Sequence, residues 1–476
     1  MARIAFCQEF LYSYMSFTAL SAALKQAGHQ VELFCFSGLS DRPILDDLIR
    51  FKPDLVGFSV LTPSRDWSLA TAKRIKSRLD TLVIFGNLEA IFHPEVIENS
   101  AVDIVCRWEG EAPLLELARR LDRRLSYDDI PGLWVKTSVG IARNDHPGIL
   151  TDLDAAPFQD LALYDKYSYF RHSRVLPILC GRGCPFNCRY CFNPLLREYY
   201  GGRRYLRKRR AERVIEELRR HEADRFFKHV LIVDETMWND NDWLREFLLL
   251  YRRYVHKPII ANYRFGALRD EDFLLMKQAG VEALIVASET GDEEQRRTLL
   301  GKNVANEEII RVCRRLREVG IAVGCSVFFG LPGDRVNDHL RRLAFFRKLN
   351  PTYLWSTFFQ PYPGLALTAD PVVQAALPAN VEFHPTYHHD IVLDVPEKER
   401  LARLKKIYFL CVKFPRLSSW FMRLTKWDIP LLFSGLFFLH FAYYAKVFER
   451  LSFRQYLAHV RLLALKPLWK YILAKN

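Results

Sequence analysis

Short apolar runs alternate with amphipathic helical segments along the first 125 residues, and this alternation restricts the chain to an α/β fold. The run Asp54-Leu-Val-Gly-Phe-Ser-Val is continuously apolar, as in strands that are buried on both faces of a parallel sheet. Helical spacing covers residues 16–27, 67–79 and 112–121, with strand patterns between them. Because parallel strands need helical crossovers, the pattern predicts a doubly wound, Rossmann-like domain over residues 1–125.

A second series of apolar segments follows residue 172. Residues 126–172 contain Pro-Gly turns and little helical periodicity, which predicts a linker. Most of the later segments end in or lead into polar or glycine residues, as strands at the mouth of a barrel do. Six such segments occur within residues 173–385, and they begin at Leu176, Val230, Pro258, Ala283, Gly324 and Tyr353.

Four of the ten cysteines lie close together, at positions 180, 184, 188 and 191. The other six are scattered, mostly in apolar runs, as is usual in intracellular proteins. No cleavable signal peptide precedes Ala2-Arg-Ile-Ala-Phe, so we expect a cytoplasmic protein. The cluster of cysteines is therefore interpreted as a set of thiolates that bind metal.

The spacing of Cys184, Cys188 and Cys191 is C-x-x-x-C-x-x-C. Three thiolates can hold three irons of a [4Fe-4S] cluster and leave the fourth iron without a protein ligand. A zinc site is the alternative, with Cys180 as a fourth ligand, but zinc ribbons use a second C-x-x-C pair that is missing here. We expect Cys180 instead to be a packed thiol at the end of the first barrel strand.

The cysteine triad, with an aromatic residue just before its last cysteine, strongly resembles that of radical S-adenosylmethionine (SAM) enzymes. The resemblance implies a partial (β/α)6 barrel and a [4Fe-4S] cluster on Cys184, Cys188 and Cys191, which are then the catalytic and metal-binding cysteines. It also implies that SAM chelates the fourth iron. An electron, from a donor such as ferredoxin or flavodoxin, then breaks a carbon–sulfur bond of SAM and yields a 5′-deoxyadenosyl radical.

The same resemblance indicates which strand ends contact SAM. Asp234 and Glu235 follow the second barrel strand, where relatives have an acidic motif near the amino group of SAM. Ser288-Glu-Thr-Gly resembles a family motif in which Glu289 contacts the ribose or the amino group. Arg264 is predicted to orient a carboxylate. Each of these residues could alternatively be a solvated strand end.

The amino-terminal domain resembles the cobalamin-binding domain that precedes many radical SAM enzymes. The resemblance rests on Thr18-Ala-Leu-Ser-Ala-Ala-Leu-Lys-Gln-Ala-Gly-His-Gln-Val, Val56-Gly-Phe-Ser-Val-Leu-Thr and Arg107-Trp-Glu-Gly-Glu. It implies that loops after the strands hold cobalamin, with Ser59, Thr62 and Gly86 as the predicted contacts. The motif Asp-x-His-x-x-Gly is missing, so no histidine ligand to cobalt is implied. A Rossmann-like domain that has lost its cobalamin is the alternative.

The carboxyl-terminal region, residues 386–476, is basic and aromatic. Residues 403–476 carry +12 of the formal net charge of +14. The segment 429–445 has seventeen residues without a charged side chain and is flanked by lysine, arginine and aromatic residues. This pattern predicts α-helices that lie in the interface of an anionic membrane. A helical bundle packed on the barrel is one alternative, and RNA binding is another, although we expect no nucleic-acid partner because the apolar content is high.

These features together predict a membrane-peripheral, cobalamin-dependent radical SAM enzyme at the inner face of the membrane. The resemblance implies methylation of an unactivated carbon in a small-molecule or lipid-like substrate. Oxidative cyclisation, as in anaerobic porphyrin-ester cyclases, is an alternative reaction. A transfer-RNA methylthiotransferase would need a second amino-terminal cluster, and a non-catalytic iron–sulfur or cobalamin-binding regulator is the alternative outside the enzymes.

Overall fold

The computed structural model describes residues 1–36, 42–146, 148–236, 240–265, 268–383, 388 and 390–460. Residues 461–476, which the sequence predicts to be part of the membrane-interfacial region, lie outside this description. The chain forms two compact units. Among the described residues, the first unit consists of the chain up to Ser173 together with residues 453–460, and the second is Arg174–Ser452.

The first unit contains one sheet of seven strands in the order β2-β1-β3-β4-β5-β6-β7. The strands are β1 (Arg3–Gln8), β2 (Gln30–Cys35), β3 (Leu55–Ser59), β4 (Leu82–Gly86), β5 (Ile104–Cys106), β6 (Leu133–Thr137) and β7 (Gly140–Arg143). The first five pair in parallel, which confirms the predicted doubly wound domain. The helices of this part are α1 (Met15–Gln26), α2 (Arg42–Phe51), α3 (Arg65–Lys76), α4 (Leu88–Phe92), α5 (Glu111–Arg123) and α6 (Ser168–Arg171).

Apolar side chains cover both faces of this sheet. In β1, Ile4 and Phe6 belong to one core cluster, and Ala5 and Cys7 belong to the other. Successive residues of a strand point to opposite faces, so a strand buried on both sides is apolar throughout. This is why the continuous runs of the sequence were sufficient to locate the parallel strands.

The segment that the sequence predicts to be a linker, 126–172, is part of the first unit. Its strands β6 and β7 form an antiparallel hairpin that extends the sheet beyond β5. Leu133 and Val135 are fully buried in the core of this unit. Burial of these two alternating side chains stabilises the hairpin. An apolar alternation of only two residues is too short to be recognised as a strand in a sequence segment that also contains Pro-Gly turns.

The second unit is a partial barrel of six parallel strands in the order β15-β14-β13-β12-β11-β8. Its strands are β8 (Val175–Ile178), β11 (His229–Ile232), β12 (Ile259–Tyr263), β13 (Val281–Val286), β14 (Ala322–Phe329) and β15 (Tyr353–Phe358). All six predicted barrel strands are thus confirmed. A small antiparallel pair, β9 (Gly181–Arg182) and β10 (Arg207–Lys208), lies between β8 and β11 along the chain.

Helices connect the barrel strands and continue beyond them. They are α7 (Asn193–Tyr199), α8 (Ala211–Asp224), α9 (Asn241–Tyr254), α10 (Asp270–Gln278), α11 (Glu293–Thr298), α12 (Asn306–Glu318), α13 (Val336–Leu349) and α14 (Pro371–Gln374). The tail adds α15 (Lys398–Lys413), α16 (Ser418–Leu424) and α17 (Pro430–Val447), and α18 (Phe453–Val460) belongs to the first unit. In α18, Gln455 Nε2 donates a hydrogen bond to the carbonyl oxygen of Tyr169 at 3.0 Å.

The tail helices pack on the last two barrel strands. The ring of Tyr353 in β15 lies 4.7 Å from that of Phe409 in α15 and 4.8 Å from that of Tyr444 in α17. Phe448 follows α17 and comes within 3.1 Å of the position that a Cβ on Gly324 would take. The sequence-based prediction of interfacial helices did not include this packing. The packing agrees with the alternative prediction, a helical bundle on the barrel. By length and composition α17 could also cross a membrane.

Candidate functional site

The cysteine loop follows β8 and β9, at the carboxyl end of the first barrel strand. Cys184 and Cys188 are buried, Cys191 is half-buried, and Cys180 is completely buried at the end of β8, as predicted for a packed thiol. Gly183 has φ +92°, and a Cβ there would lie 2.7 Å from the carbonyl oxygen of Tyr205. The loop can therefore follow this path only with glycine before its first cysteine.

Two arginines hold the cysteine loop in place. Arg197 Nη1 donates to the carbonyl oxygen of Cys184 at 3.1 Å and to that of Phe186 at 3.3 Å. Arg189 lies within the loop, and its Nη2 donates to Asp370 Oδ2 at 2.8 Å. These bonds connect the loop to α7 and to the segment after β15, so its backbone is fixed at several points.

Hydrogen-bond donors surround the sulfur atoms of the loop. Arg264 Nη1 lies 2.6 Å from Cys188 Sγ, and the backbone nitrogen and Nδ2 of Asn193 lie 3.5 and 3.6 Å from Cys191 Sγ. Burial raises the pKa of Cys184 to about 11, although Arg264 acts in the opposite direction. Donors of this kind stabilise iron-bound thiolates, so these residues fit an iron–sulfur cluster. Among the described residues, no three metal-ligating side chains are already grouped as a metal site.

Asp234 and Glu235 follow β11 but have different surroundings. Asp234 is buried, and its Oδ1 accepts a hydrogen bond from the backbone nitrogen of Cys180 at 2.7 Å. Burial raises the pKa of its carboxyl group to about 7. Glu235 is exposed and lies close enough to Cys191 to raise the pKa of that thiol, after the larger effect of burial. Of the two carboxylates, Glu235 is the one that a ligand beside the cysteines could reach.

Glu289 lies after β13 at the centre of a buried hydrogen-bond network. Tyr190, between the last two cysteines, and Ser326 in β14 both donate to its carboxylate, and Lys302 Nζ lies 3.3 Å from Oε1. Burial alone would raise the pKa of Glu289, but Lys302, Ser326 and Tyr190 together hold it below its usual range. Glu289 also has φ +56°, an uncommon conformation for a residue with a side chain.

In the first unit, the predicted cobalamin contacts lie at the carboxyl ends of the central strands. The strand order 2-1-3-4-5 changes direction between β1 and β3, and ligands of doubly wound folds bind at such a switch point. Ser59 ends β3 there, 3.4 Å from the hydroxyl of Ser16, and Asn87 Nδ2 donates to its hydroxyl at 2.9 Å. The loop after β1, residues 9–14, contains no histidine.

Thr62 and Gly86 lie near the same edge of the sheet. Thr62 Oγ1 donates to Glu89 Oε2 at 3.2 Å, and Glu89 is buried beside Arg65 at 3.4 Å. Gly86 ends β4, and no atom lies closer than 3.9 Å to the position that a Cβ there would take. The structure therefore brings Ser59 and Asn87 together, and it gives Thr62 a partner within the protein.

Three polar residues of these sites were missed at the sequence level. Tyr190 could have been found, because an aromatic residue stands at a fixed place within the cysteine motif. Lys302 and Ser326 could not, because each is defined by contacts between segments far apart in the chain. Asn87 lies in the segment 85–87, which the resemblance had already indicated as a cobalamin-binding loop. Arg264 was identified, but it contacts a cysteine sulfur and not a carboxylate of the protein.

Comparison with known proteins agrees with these two units. Residues 5–118 match the B12 binding domain family, and residues 178–345 match the radical SAM superfamily. Among solved structures, the chain resembles the radical SAM methyltransferase TsrM from Kitasatospora setae with a TM-score of 0.63 and 18% identity. The match covers 77% of this chain and 75% of TsrM, and it shows a shared fold.

Curated relatives include enzymes of two reaction types. An uncharacterized methyltransferase of Pyrococcus horikoshii is 26% identical over 73% of this chain and 76% of its own length. The hopanoid C-3 methylase of Methylococcus capsulatus is 28% identical over 66% of this chain and 61% of its own length. The anaerobic magnesium-protoporphyrin IX monomethyl ester cyclase of Synechocystis is 24% identical over 72% of this chain and 70% of its own length.

The two family matches fall on the two sheets whose strand ends carry the predicted sites. The cofactors that go with these domains are a [4Fe-4S] cluster, SAM and cobalamin. The alternative of a zinc protein is therefore not favoured. The chain belongs to the radical SAM enzymes that carry an amino-terminal cobalamin-binding domain.

Proposed function

We propose that this protein methylates an unactivated carbon of a small-molecule or lipid-like substrate. The observation that carries the proposal is the presence of both domains in one chain, each with polar residues at the strand ends where its cofactor is expected. When bound, the cluster and SAM supply radical chemistry, and cobalamin supplies the methyl group. The reaction also requires a low-potential one-electron donor, such as ferredoxin or flavodoxin.

The residues of the barrel have separable roles in this proposal. Cys184, Cys188 and Cys191 bind the cluster through their sulfur atoms. Glu235 is exposed beside Cys191, so it can accept hydrogen bonds from the amino group of SAM. Glu289 is fully engaged by protein donors, so its carboxylate orders Tyr190 within the cysteine loop.

Asp234 supports the start of the loop. Its Oδ1 binds the backbone nitrogen of Cys180, immediately before the loop begins. In the first unit, Ser59, Asn87 and Gly86 at the ends of β3 and β4 are proposed to hold cobalamin. The loop after β1 contains no histidine, so that loop would offer bound cobalamin no imidazole ligand.

Oxidative cyclisation is the second candidate, because cyclases are among the curated relatives. The two reactions differ in what they consume. Methylation would consume one SAM for the radical step and a second as the methyl donor, so it would release both 5′-deoxyadenosine and S-adenosylhomocysteine. Cyclisation adds no carbon to its substrate and needs no methyl donor.

The test is an anaerobic incubation of reconstituted protein with cobalamin, reductant, lipid extract and SAM labelled with deuterium in its methyl group. Methylation predicts S-adenosylhomocysteine, 5′-deoxyadenosine and a lipid that gains the label. An unlabelled product with 5′-deoxyadenosine would favour cyclisation. Neither 5′-deoxyadenosine nor product, from protein with intact cofactors, would favour a non-catalytic regulator.

We also propose that the tail contacts an anionic membrane from the cytoplasmic side. Nine large apolar side chains are exposed within residues 414–443: Phe414, Leu417, Trp420, Trp427, Ile429, Leu431, Leu432, Leu439 and Tyr443. Basic side chains within the same segment include Arg416, Arg423 and Lys426. Exposed apolar groups with basic neighbours suit the interface of an anionic bilayer. The opposite face of α17, with Phe433 and Phe441, is buried.

A further inference from the structure

We propose that Arg264 is a positioning residue for the iron–sulfur cluster, and that its hydrogen bond to a cluster-ligating sulfur makes the cluster easier to reduce. The inference rests on the proposed function, because it requires a cluster on Cys184, Cys188 and Cys191. It differs from the role expected from resemblance, in which Arg264 orients a carboxylate. The two roles lead to different measurable properties.

The position of Arg264 is determined by its backbone, which follows a barrel strand, and by its side chain, which contacts the cysteine loop. Arg264 directly follows β12, so its backbone is placed by a central barrel strand. Its Nη1 lies 2.6 Å from Cys188 Sγ, and its Cζ lies 3.5 Å from the centre of the Phe186 ring. Phe186 is itself part of the cysteine loop. The stacked ring therefore keeps the guanidinium plane against the same loop that carries the sulfur.

The positive charge of Arg264 has no carboxylate partner among the described residues, unlike that of the nearby Lys302. Lys302 is buried close to the same cysteines, but its ammonium group is paired with Glu289 at 3.3 Å. Among the described residues, no carboxylate forms an ion pair with Arg264, and its Nε is buried without a hydrogen-bond partner. Its positive charge is therefore directed at the sulfur atoms of the loop.

The electrostatic consequence follows from the sign of the charges. Reduction transfers one electron from a low-potential donor to the cluster, which becomes more negative by one charge. A nearby cation and a charge-assisted N–H···S bond stabilise the reduced form more than the oxidised form. Arg264 should therefore raise the reduction potential of the cluster.

The test is a redox titration of reconstituted protein followed by electron paramagnetic resonance, without SAM. The Arg264→Gln variant should have a more negative midpoint potential than the wild type. Arg297→Gln is the control, because it also removes one positive charge from the second unit, but at an exposed side chain that is paired with Glu294 at 2.7 Å. We expect the potential of this control to stay close to that of the wild type.

Two results would overturn the inference. One is an unchanged potential in Arg264→Gln together with weaker binding of SAM, which would assign the guanidinium to the carboxylate of SAM. If the Arg264→Gln variant does not load a cluster, the Phe186→Leu variant is titrated in its place. Loss of the Phe186 ring should make the midpoint potential more negative, by a smaller amount than loss of the guanidinium group. An unshifted potential in that variant is the second contrary result.

Iron and sulfide analysis of the wild type separates this inference from the proposed function. A wild-type protein that assembles no four-iron cluster would refute the proposed function. A wild-type protein with an intact cluster, whose potential does not depend on Arg264 or Phe186, would refute only the role of Arg264.

Discussion

Tyr190 donates a hydrogen bond to Glu289, and this bond joins the cysteine loop to the strand end after β13. Ser326 in β14 also donates to this carboxylate, and Lys302, which follows α11, pairs with it. The carboxylate of Glu289 therefore connects the cysteine loop, β14 and the segment after α11. Buried networks of this kind are rigid when every member has its partners. The network therefore fixes the loop before any cofactor binds.

Replacing Glu289 with glutamine should destabilise the second unit. The substitution leaves the buried ammonium group of Lys302 without its anionic partner, which costs about 3–5 kcal/mol in comparable buried pairs. Denaturant unfolding followed by circular dichroism measures the loss. Glu294→Gln is the control, because Glu294 and its partner Arg297 are largely exposed, and we expect little change. Equal stability of Glu289→Gln and the wild type would contradict the described network.

Replacing Asp234 with asparagine should remove a dependence of stability on pH. Burial raises the pKa of Asp234 to about 7, so the folded state holds this proton more tightly than the unfolded state does. The stabilisation is complete below the unfolded pKa of about 4 and is lost as pH rises through the folded pKa of about 7. In Asp234→Asn this decline should disappear, and the variant should be at least as stable as the wild type at about pH 8.

Asp334→Asn is the control for the titration of Asp234. Asp334 is also buried, but His339 and Arg342 outweigh its burial and hold its pKa below the usual range. Its stabilisation is present above the unfolded pKa and is lost only as pH falls through the lower folded pKa. Asp334→Asn should therefore be destabilised at neutral pH, opposite to Asp234→Asn. The same pH profile in all three proteins would contradict the assignment.

Replacing Gly183 with alanine should impair loading of iron. Both its φ of +92° and the carbonyl oxygen of Tyr205 oppose a side chain, so the loop must move just before Cys184. Gly201 has a similar φ of +84°, but no atom lies within 4 Å of a Cβ there. Gly201→Ala should therefore carry only the conformational cost of about 1–2 kcal/mol. Iron bound per chain after reconstitution compares the two variants, and equal loading would argue against a rigid loop.

Replacing Trp427 and Leu431 with serine should weaken binding to anionic vesicles. These side chains are 69% and 89% exposed, so their removal should have little effect on folding. Co-sedimentation with vesicles of phosphatidylserine and phosphatidylcholine measures binding, and high salt should reduce it further. Val139→Ser is the control, because Val139 is 96% exposed in the β6–β7 hairpin of the first unit. If the wild type does not bind these vesicles, the proposed membrane contact is wrong.

The parallel strands of both sheets could be predicted from the sequence because they carry apolar runs, whereas the antiparallel strands β6 and β7 could not. Continuous apolar runs such as that at Leu55–Ser59 are a local property, and local properties are visible in a sequence. The three cluster-binding cysteines could be predicted for a similar reason, because their spacing is also a local property of the sequence. In both cases short-range information was sufficient.

The contacts between distant segments could not be predicted. Lys302 pairs with Glu289 only because two loops of the barrel meet, and Arg264 contacts Cys188 across 76 positions of the sequence. The packing of α17 was missed for the same reason, because an apolar helix fits a membrane interface as well as an aromatic strand surface. In the folded chain, Tyr353 and Trp355 supply that strand surface.

Quantification of iron, sulfide and 5′-deoxyadenosine after anaerobic reconstitution tests the account most directly. The wild type should bind four irons at a site-differentiated cluster and release 5′-deoxyadenosine from SAM when reduced. A variant with Cys184, Cys188 and Cys191 all changed to alanine should do neither, whereas Cys180→Ala should do both. A wild-type protein that binds zinc, or a cluster that Cys180 also ligates, would contradict the account.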